Sequence, residues 1–178
     1  MNKLVIGIDQ SYTRTGISLA VDGKLMKVTS IPFRGPQSHT DKRKQISNIV
    51  THILTKNSSR VSECIIICER IRTFSGGFLS TSYIKATGAL IATIVDAAYP
   101  FGVKVFSVDT RCWKAAIVGS SKSDGNKKLA TIKYVAKLGF DLSSVNKKGK
   151  IIYDDDAADS ACIALYGFVA DQKLKEEH

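Results

Sequence analysis

Small residues recur through one apolar stretch near the end of this chain, Ala157, Ala158, Ala161, Ala164 and Gly167, and they restrict what it can pack against. A helix beginning near Tyr153 and carrying them can lie almost flush on a sheet, with Ile163, Leu165 and Phe168 supplying burial. Its first turn is acidic. Asp156 and Asp159 are three apart and Asp155 and Asp159 four apart, so at least two carboxylates share a face. Taken alone, such a turn reads as a cap that answers the helix dipole. It becomes a cation site when carboxylates from elsewhere converge on it, because hard divalent ions need several oxygens held close together.

The preceding chain supplies a sheet for that helix. Residues 4–8, Leu-Val-Ile-Gly-Ile, form a short β-branched apolar run suited to a strand buried on both faces, and Asp9 ends it. Residues 15–21 alternate as a second strand. Asp22-Gly23 is a tight-hairpin dipeptide, and residues 24–31 continue as a third strand, so the chain opens as an antiparallel meander. After a loop with two prolines, Ile46, Ile49, Val50, Ile53 and Leu54 recur at helical spacing. Residues 64–68, Cys-Ile-Ile-Ile-Cys, make a buried strand closed by Glu69, and residues 79–99 a long helix stopped by Pro100. Residues 103–108 read as a fifth strand, with Asp109 or Thr110 capping a short helix through Trp113. Residues 119–128 read as a basic loop, 129–138 as a helix, 140–150 as a second basic loop, and 172–178 as a frayed tail. Hairpin strands followed by strands alternating with helices predict an α/β fold, a mixed five-stranded sheet flanked by helices on both faces. With 178 residues, 44% of them hydrophobic, the chain fills one core, and residues 1–171 form a single expected domain.

Lysine and arginine outnumber aspartate and glutamate by 26 to 16, a formal charge of +10, which favours a polyanionic partner such as nucleic acid. The signs are segregated: residues 154–156 are all aspartate, whereas 122–150 is dominated by lysine. Lys122, Lys127, Lys128, Lys147, Lys148 and Lys150 form that basic flank. Arg70 and Arg72, beside Glu69, read either as phosphate contacts or as solvated loop charges. Four cysteines without a C-x-x-C pattern read as buried thiols of a reducing compartment, and three scattered histidines argue against a histidine metal site. No apolar run reaches membrane-spanning length and none forms a signal-peptide core, so a cytoplasmic location is expected.

Asp9 and Glu69 each stand at the carboxyl end of a predicted central strand, the edge where open α/β sheets place their sites. If those strands are neighbours and the last helix crosses their ends, Asp9, Glu69, Asp156 and Asp159 meet. Four carboxylates so gathered repel one another and resist ionising unless cations lie between them. Such a cluster predicts metal. Two Mg²⁺ ions serve phosphodiester hydrolysis, and flanking lysines can grip the phosphates around a site whose own charge the metal cancels.

The ordered set Gly7-Ile-Asp9-Gln-Ser-Tyr-Thr-Arg-Thr-Gly16, Cys68-Glu69-Arg70, Trp113-Lys-Ala-Ala-Ile-Val-Gly119 and Asp156-Ala-Ala-Asp159 resembles the RuvC family of Holliday junction resolvases, particularly its bacteriophage branch, over nearly the whole chain. The resemblance implies an RNase H-like fold, a homodimer, dependence on Mg²⁺ or Mn²⁺, and paired nicks across a four-way DNA junction. For a phage-encoded protein the location would be the host cytoplasm. It also implies that Asp9, Glu69, Asp156 and Asp159 are catalytic metal ligands. Asp156 is preferred within the aspartate triple because Asp-Ala-Ala-Asp matches the family spacing. The family's loop lysine corresponds to Lys127 or Lys128, and its wedging aromatic to Phe74 or Phe78. The opening hairpin also resembles the phosphate-binding hairpin of actin-like ATPases and sugar kinases, but those need two lobes and leave Glu69 without a task. A branched-DNA-binding protein without catalysis would keep the lysines and need no Glu69.

Overall fold

The computed structural model describes residues 2–33, 35–70, 81–119, 127–169 and 175–177. Strands β1 (Lys3–Asp9), β2 (Arg14–Val21) and β3 (Lys24–Pro32) form the antiparallel meander read from the sequence. Asp22 and Gly23 turn between β2 and β3 with φ of 48° and 79°, the two positive values a two-residue primed turn requires. Asp22 also accepts the Lys3 amide at 2.9 Å. Strands β4 (Glu63–Glu69) and β5 (Lys104–Val108) add in parallel beside β1, giving the expected five-stranded mixed sheet.

Helices α1 (His39–Asn57) and α2 (Thr81–Ala98) cover one face of the sheet. Helices α3 (Thr110–Ile117), α4 (Lys127–Lys137) and α5 (Asp155–Tyr166) cover the other. The first core gathers Ile6, Ile8 and Ile66 with Val50, Leu54, Leu90 and Ile94; the second gathers Val5, Ile65 and Ile67 with Trp113, Val135, Ala161 and Ile163. Both faces of β1 and β4 are thus dry, which is why their sequences run apolar without alternation. No helix among the described residues is long and apolar enough to cross a membrane.

Two segments depart from the expectation. Residues 140–150, read as a loop, contain β6 (Ser143–Val145), which pairs antiparallel with β7 (Ile151–Tyr153) in a separate two-stranded ribbon. Three-residue strands are too short to register as a period. The turn between them is instead organised by one side chain, Asn146, whose Oδ1 accepts the amides of Lys148 and Lys150. The tail, read as frayed, contributes β8 (Lys175–Glu177), a sixth, antiparallel strand against β5. A run of Lys-Glu-Glu carries no apolar signal, and only pairing to the open edge of β5 makes it extended.

Helix α5 packs over β1 and β2, buried from Ala157 onward except at the half-buried Asp159, and two glycines allow it. A Cβ on Gly7 would strike the Ser160 carbonyl oxygen and the Ala164 amide and lie 2.9 Å from the Ala164 Cα; one on Gly16 would strike the Asp156 carbonyl, 2.5 Å from its carbon. Between them the Ser18 and Ser160 hydroxyls share a buried hydrogen bond of 2.7 Å. At the other side of the site, Asp109 caps α3 by accepting the Arg111 amide at 2.8 Å. Asp109→Ala should cost about 1 kcal/mol of stability in urea unfolding, the usual loss when an N-cap acceptor is removed.

Candidate metal centre

Because β1 and β4 run parallel with Ile8 opposite Cys68, the next residues, Asp9 and Glu69, end side by side at one edge of the sheet. Helix α5 crosses that edge and delivers Asp159. Ligand oxygens of Asp9, Glu69 and Asp159 all lie within 4.8 Å of one another. Burial, followed by the charges of Glu69, Asp159 and Asp156, pushes the Asp9 carboxyl well above the ordinary carboxylate range, against the opposing pull of Lys114.

Each carboxylate is positioned by specific partners. Gln10, itself buried, donates its amide to the Glu69 carbonyl and accepts the Glu69 N–H at 3.2 Å, locking the two strand ends together. The Thr110 hydroxyl donates to Glu69 Oε1. Lys114 Nζ lies 3.1 Å from Asp159 Oδ2 and 4.8 Å from the centre of the Trp113 ring, which is fully buried and holds α3 against the core. The other oxygen, Asp159 Oδ1, is buried and has no hydrogen-bond partner among the described residues.

A buried carboxylate oxygen with no donor is costly. In a residue grouped with two further carboxylates, it fits a hard divalent cation, whose preferred donors are oxygens of this kind.

The aspartate triple divides its tasks. Asp154 is the N-cap: its Oδ1 accepts the Ala157 amide at 3.0 Å, while Oδ2 accepts the Ser30 hydroxyl and lies 3.2 Å from Arg14. Asp156, one turn before Asp159, stands outside the three-carboxylate group, with Oδ2 3.9 Å from Arg14 Nε, although its charge reaches Asp9. Arg70 is half-buried and its Nε donates to Ser107 Oγ at 3.3 Å, so part of its guanidinium serves to bind β5.

Arg72, Phe74, Phe78 and Lys122 lie outside the described residues. Lys127 and Lys128 open α4, their side chains likewise outside the description. Lys147, Lys148 and Lys150 are exposed on the β6–β7 ribbon.

Gln10, Thr110 and Lys114 were not singled out from sequence as site residues. The signal for the last two was present: β5 is parallel to β4, so whatever follows it reaches the same edge, and Thr110 and Lys114 are one helical turn apart on one face.

Against solved structures, the chain matches RuvC of Thermus thermophilus in complex with a Holliday junction substrate at a TM-score of 0.68 and 16% identity, over 98% of this chain and 99% of that one. This is the RuvC, RNase H-like fold. A second Thermus thermophilus RuvC structure matches equally well at 18% identity, over 98% and 99% of the two chains. The yeast mitochondrial Holliday junction resolvase Ydc2 matches at 0.54 and 13%, over 90% of this chain and 75% of that one. No protein-family model matches the sequence, and no curated protein matches it.

The four cysteines are all free thiols. Burial pushes Cys162 up to about 12 and Cys64 to about 11, which keeps both neutral. Within the single chain, Ile91 and Ile94 of α2 are buried in the first core cluster and Val95 packs against it, while Ala92 is exposed.

Proposed function

We propose that this chain is a divalent-metal-dependent endonuclease that nicks four-way junctions and related branched DNA by phosphodiester hydrolysis. The observation that carries this reading is the convergence of Asp9, Glu69 and Asp159, one of whose buried oxygens has no donor among the described residues. The shared fold with two Holliday junction resolvases supports DNA as the substrate. So does the formal charge of +10 around an acidic centre.

Asp9, Glu69 and Asp159 would hold Mg²⁺ or Mn²⁺, and Asp156, one turn before Asp159, would serve as a ligand should a second ion bind. Bound there, the metal supplies an activated water and charge compensation for the leaving oxygen. The protein's own contribution is positional. Gln10 and Thr110 fix Glu69, Asp154 and Arg14 anchor the first turn of α5, and Lys114 balances Asp159 without filling all of its acceptor capacity. That partial balance leaves the centre net acidic, as a cation site must be. Resolving a junction needs two such sites related by a two-fold axis, so the working form would be a homodimer.

The reading is tested by comparing rates on a labelled four-way junction and on linear duplex. Mg²⁺ should support nicking of the junction in preference to duplex. Ca²⁺, larger and less strict in geometry, should support binding with little turnover. Junction binding without any cleavage in Mg²⁺ or Mn²⁺ would favour the non-catalytic alternative.

A further inference from the structure

The β6–β7 ribbon is solvent-exposed along both strands. Two-stranded ribbons are marginal in water unless something covers a face. This one nonetheless displays Val145, Ile151 and Tyr153 at 69%, 55% and 47% exposure. The register Ser143↔Tyr153 and Val145↔Ile151 puts those three side chains on the same face. The turn beyond them carries Lys147, Lys148 and Lys150, all exposed, and no ion pair involves any of the three among the described residues.

The ribbon is also built to hold its shape. Asn146 Oδ1 accepts two amides at 2.9 and 3.0 Å, the Asn146 amide donates to the Lys150 carbonyl at 2.9 Å, and Gly149 supplies the positive φ of 74°. At its base, β7 runs directly into the N-cap Asp154, whose amide donates to the Leu142 carbonyl at 3.0 Å. The ribbon therefore stands at a fixed position beside the helix that carries Asp159.

From this geometry we infer that the β6–β7 ribbon is a DNA-docking element that enters a groove of a duplex arm, its tip lysines on the flanking phosphates and its Val145, Ile151 and Tyr153 face against base edges. A two-stranded ribbon fits the major groove, where apolar side chains meet thymine methyls. The lysines supply charge complementarity to one occupant, a polyanionic backbone, which a second copy of this basic chain does not offer.

The inference rests on the DNA-binding part of the proposed function and extends it to a surface outside the acidic centre. Its test is fluorescence anisotropy of a labelled four-way junction in Ca²⁺ across a salt series, for wild type, K147A/K148A/K150A and I151S/Y153S. Circular dichroism and light scattering confirm fold and mass. The lysine variant should bind about tenfold or more weakly, with the slope of log affinity against log salt shallower by about 2 to 3, since each phosphate contact contributes about 0.9. The apolar variant should lose about tenfold in affinity with its slope unchanged.

An unchanged slope in the first variant, or unchanged affinity in the second, overturns the inference. So does a second variant that changes oligomeric mass while binding DNA normally, which would make the ribbon a subunit contact. The two readings fail separately. Wild type that binds through the ribbon and never nicks removes the nuclease and keeps the ribbon, whereas nicking with an unaltered salt slope does the reverse.

Discussion

Asp9→Asn should reduce metal-dependent cleavage by about 10³-fold or more and, at the same time, raise the thermal midpoint of the metal-free protein at neutral pH. The first effect follows from removing a charged ligand, since metal stabilisation of the transition state is worth several kcal/mol and each 1.36 kcal/mol is about tenfold in rate. The second follows from the raised carboxyl of Asp9, caused by burial and then by Glu69, Asp159 and Asp156. A carboxyl whose folded value lies above its unfolded value stabilises the fold below the unfolded value, and that contribution is lost as pH rises through the folded one. At neutral pH the metal-free protein therefore carries a cost of burial and of repulsion that asparagine removes. Adding Mg²⁺ should raise the midpoint of wild type, by binding the folded state alone, and should raise that of the variant much less. Differential scanning fluorimetry with and without Mg²⁺ reads both effects, and a variant less stable than wild type without metal would contradict them.

Gly16→Val should unfold the protein or destabilise it by about 3 kcal/mol or more, the upper end of overpacking costs. The clash is with backbone, the carbonyl of Asp156 and the 2.5 Å approach to its carbon, so no side-chain rearrangement relieves it. Only a shift of α5 away from β2 would, and that shift also displaces Asp159 from Asp9 and Glu69. Gly7→Val strikes the same helix at Ser160 and Ala164 and should behave alike. Both are read by urea denaturation. A variant that folds normally and keeps full cleavage would show that α5 need not lie flush for the centre to assemble. By contrast, a Cβ at Gly23 meets nothing within 4 Å, and the cost of alanine there comes from the positive φ of 79° in the turn.

The strand-end carboxylates were legible because each closes an uninterrupted apolar run, and strands β1 and β4 are so strongly patterned that their adjacency was the natural expectation. The flush helix was legible from its alanines. What the sequence left open was how three successive aspartates divide their work. Their spacing allows any of them to face the site, and only the backbone makes Asp154 the cap, with its Ser30 and Arg14 contacts, and leaves Asp156 beside Arg14.

Lys114 was hidden for a related reason. It lies in the sequence between a tryptophan and two alanines, where a lysine reads as a solvated helix position, and it reaches Asp159 only because α3 and α5 pack across the same sheet face. The β6–β7 ribbon and β8 were missed because three-residue strands are too short to carry a periodicity; a side-chain turn at Asn146 and an open edge of β5 specify them instead.

The most direct test of the central claim is to map the cuts on a four-way junction labelled in turn on each of its four strands, in Mg²⁺, under single-turnover conditions. The account predicts two nicks on opposite strands, placed symmetrically about the branch point, each leaving ends that a ligase can rejoin, with both absent in Asp9→Asn and Glu69→Gln. Intact strands after incubation of the folded, junction-bound protein with Mg²⁺ or Mn²⁺, or undiminished cutting by those two variants, would contradict it.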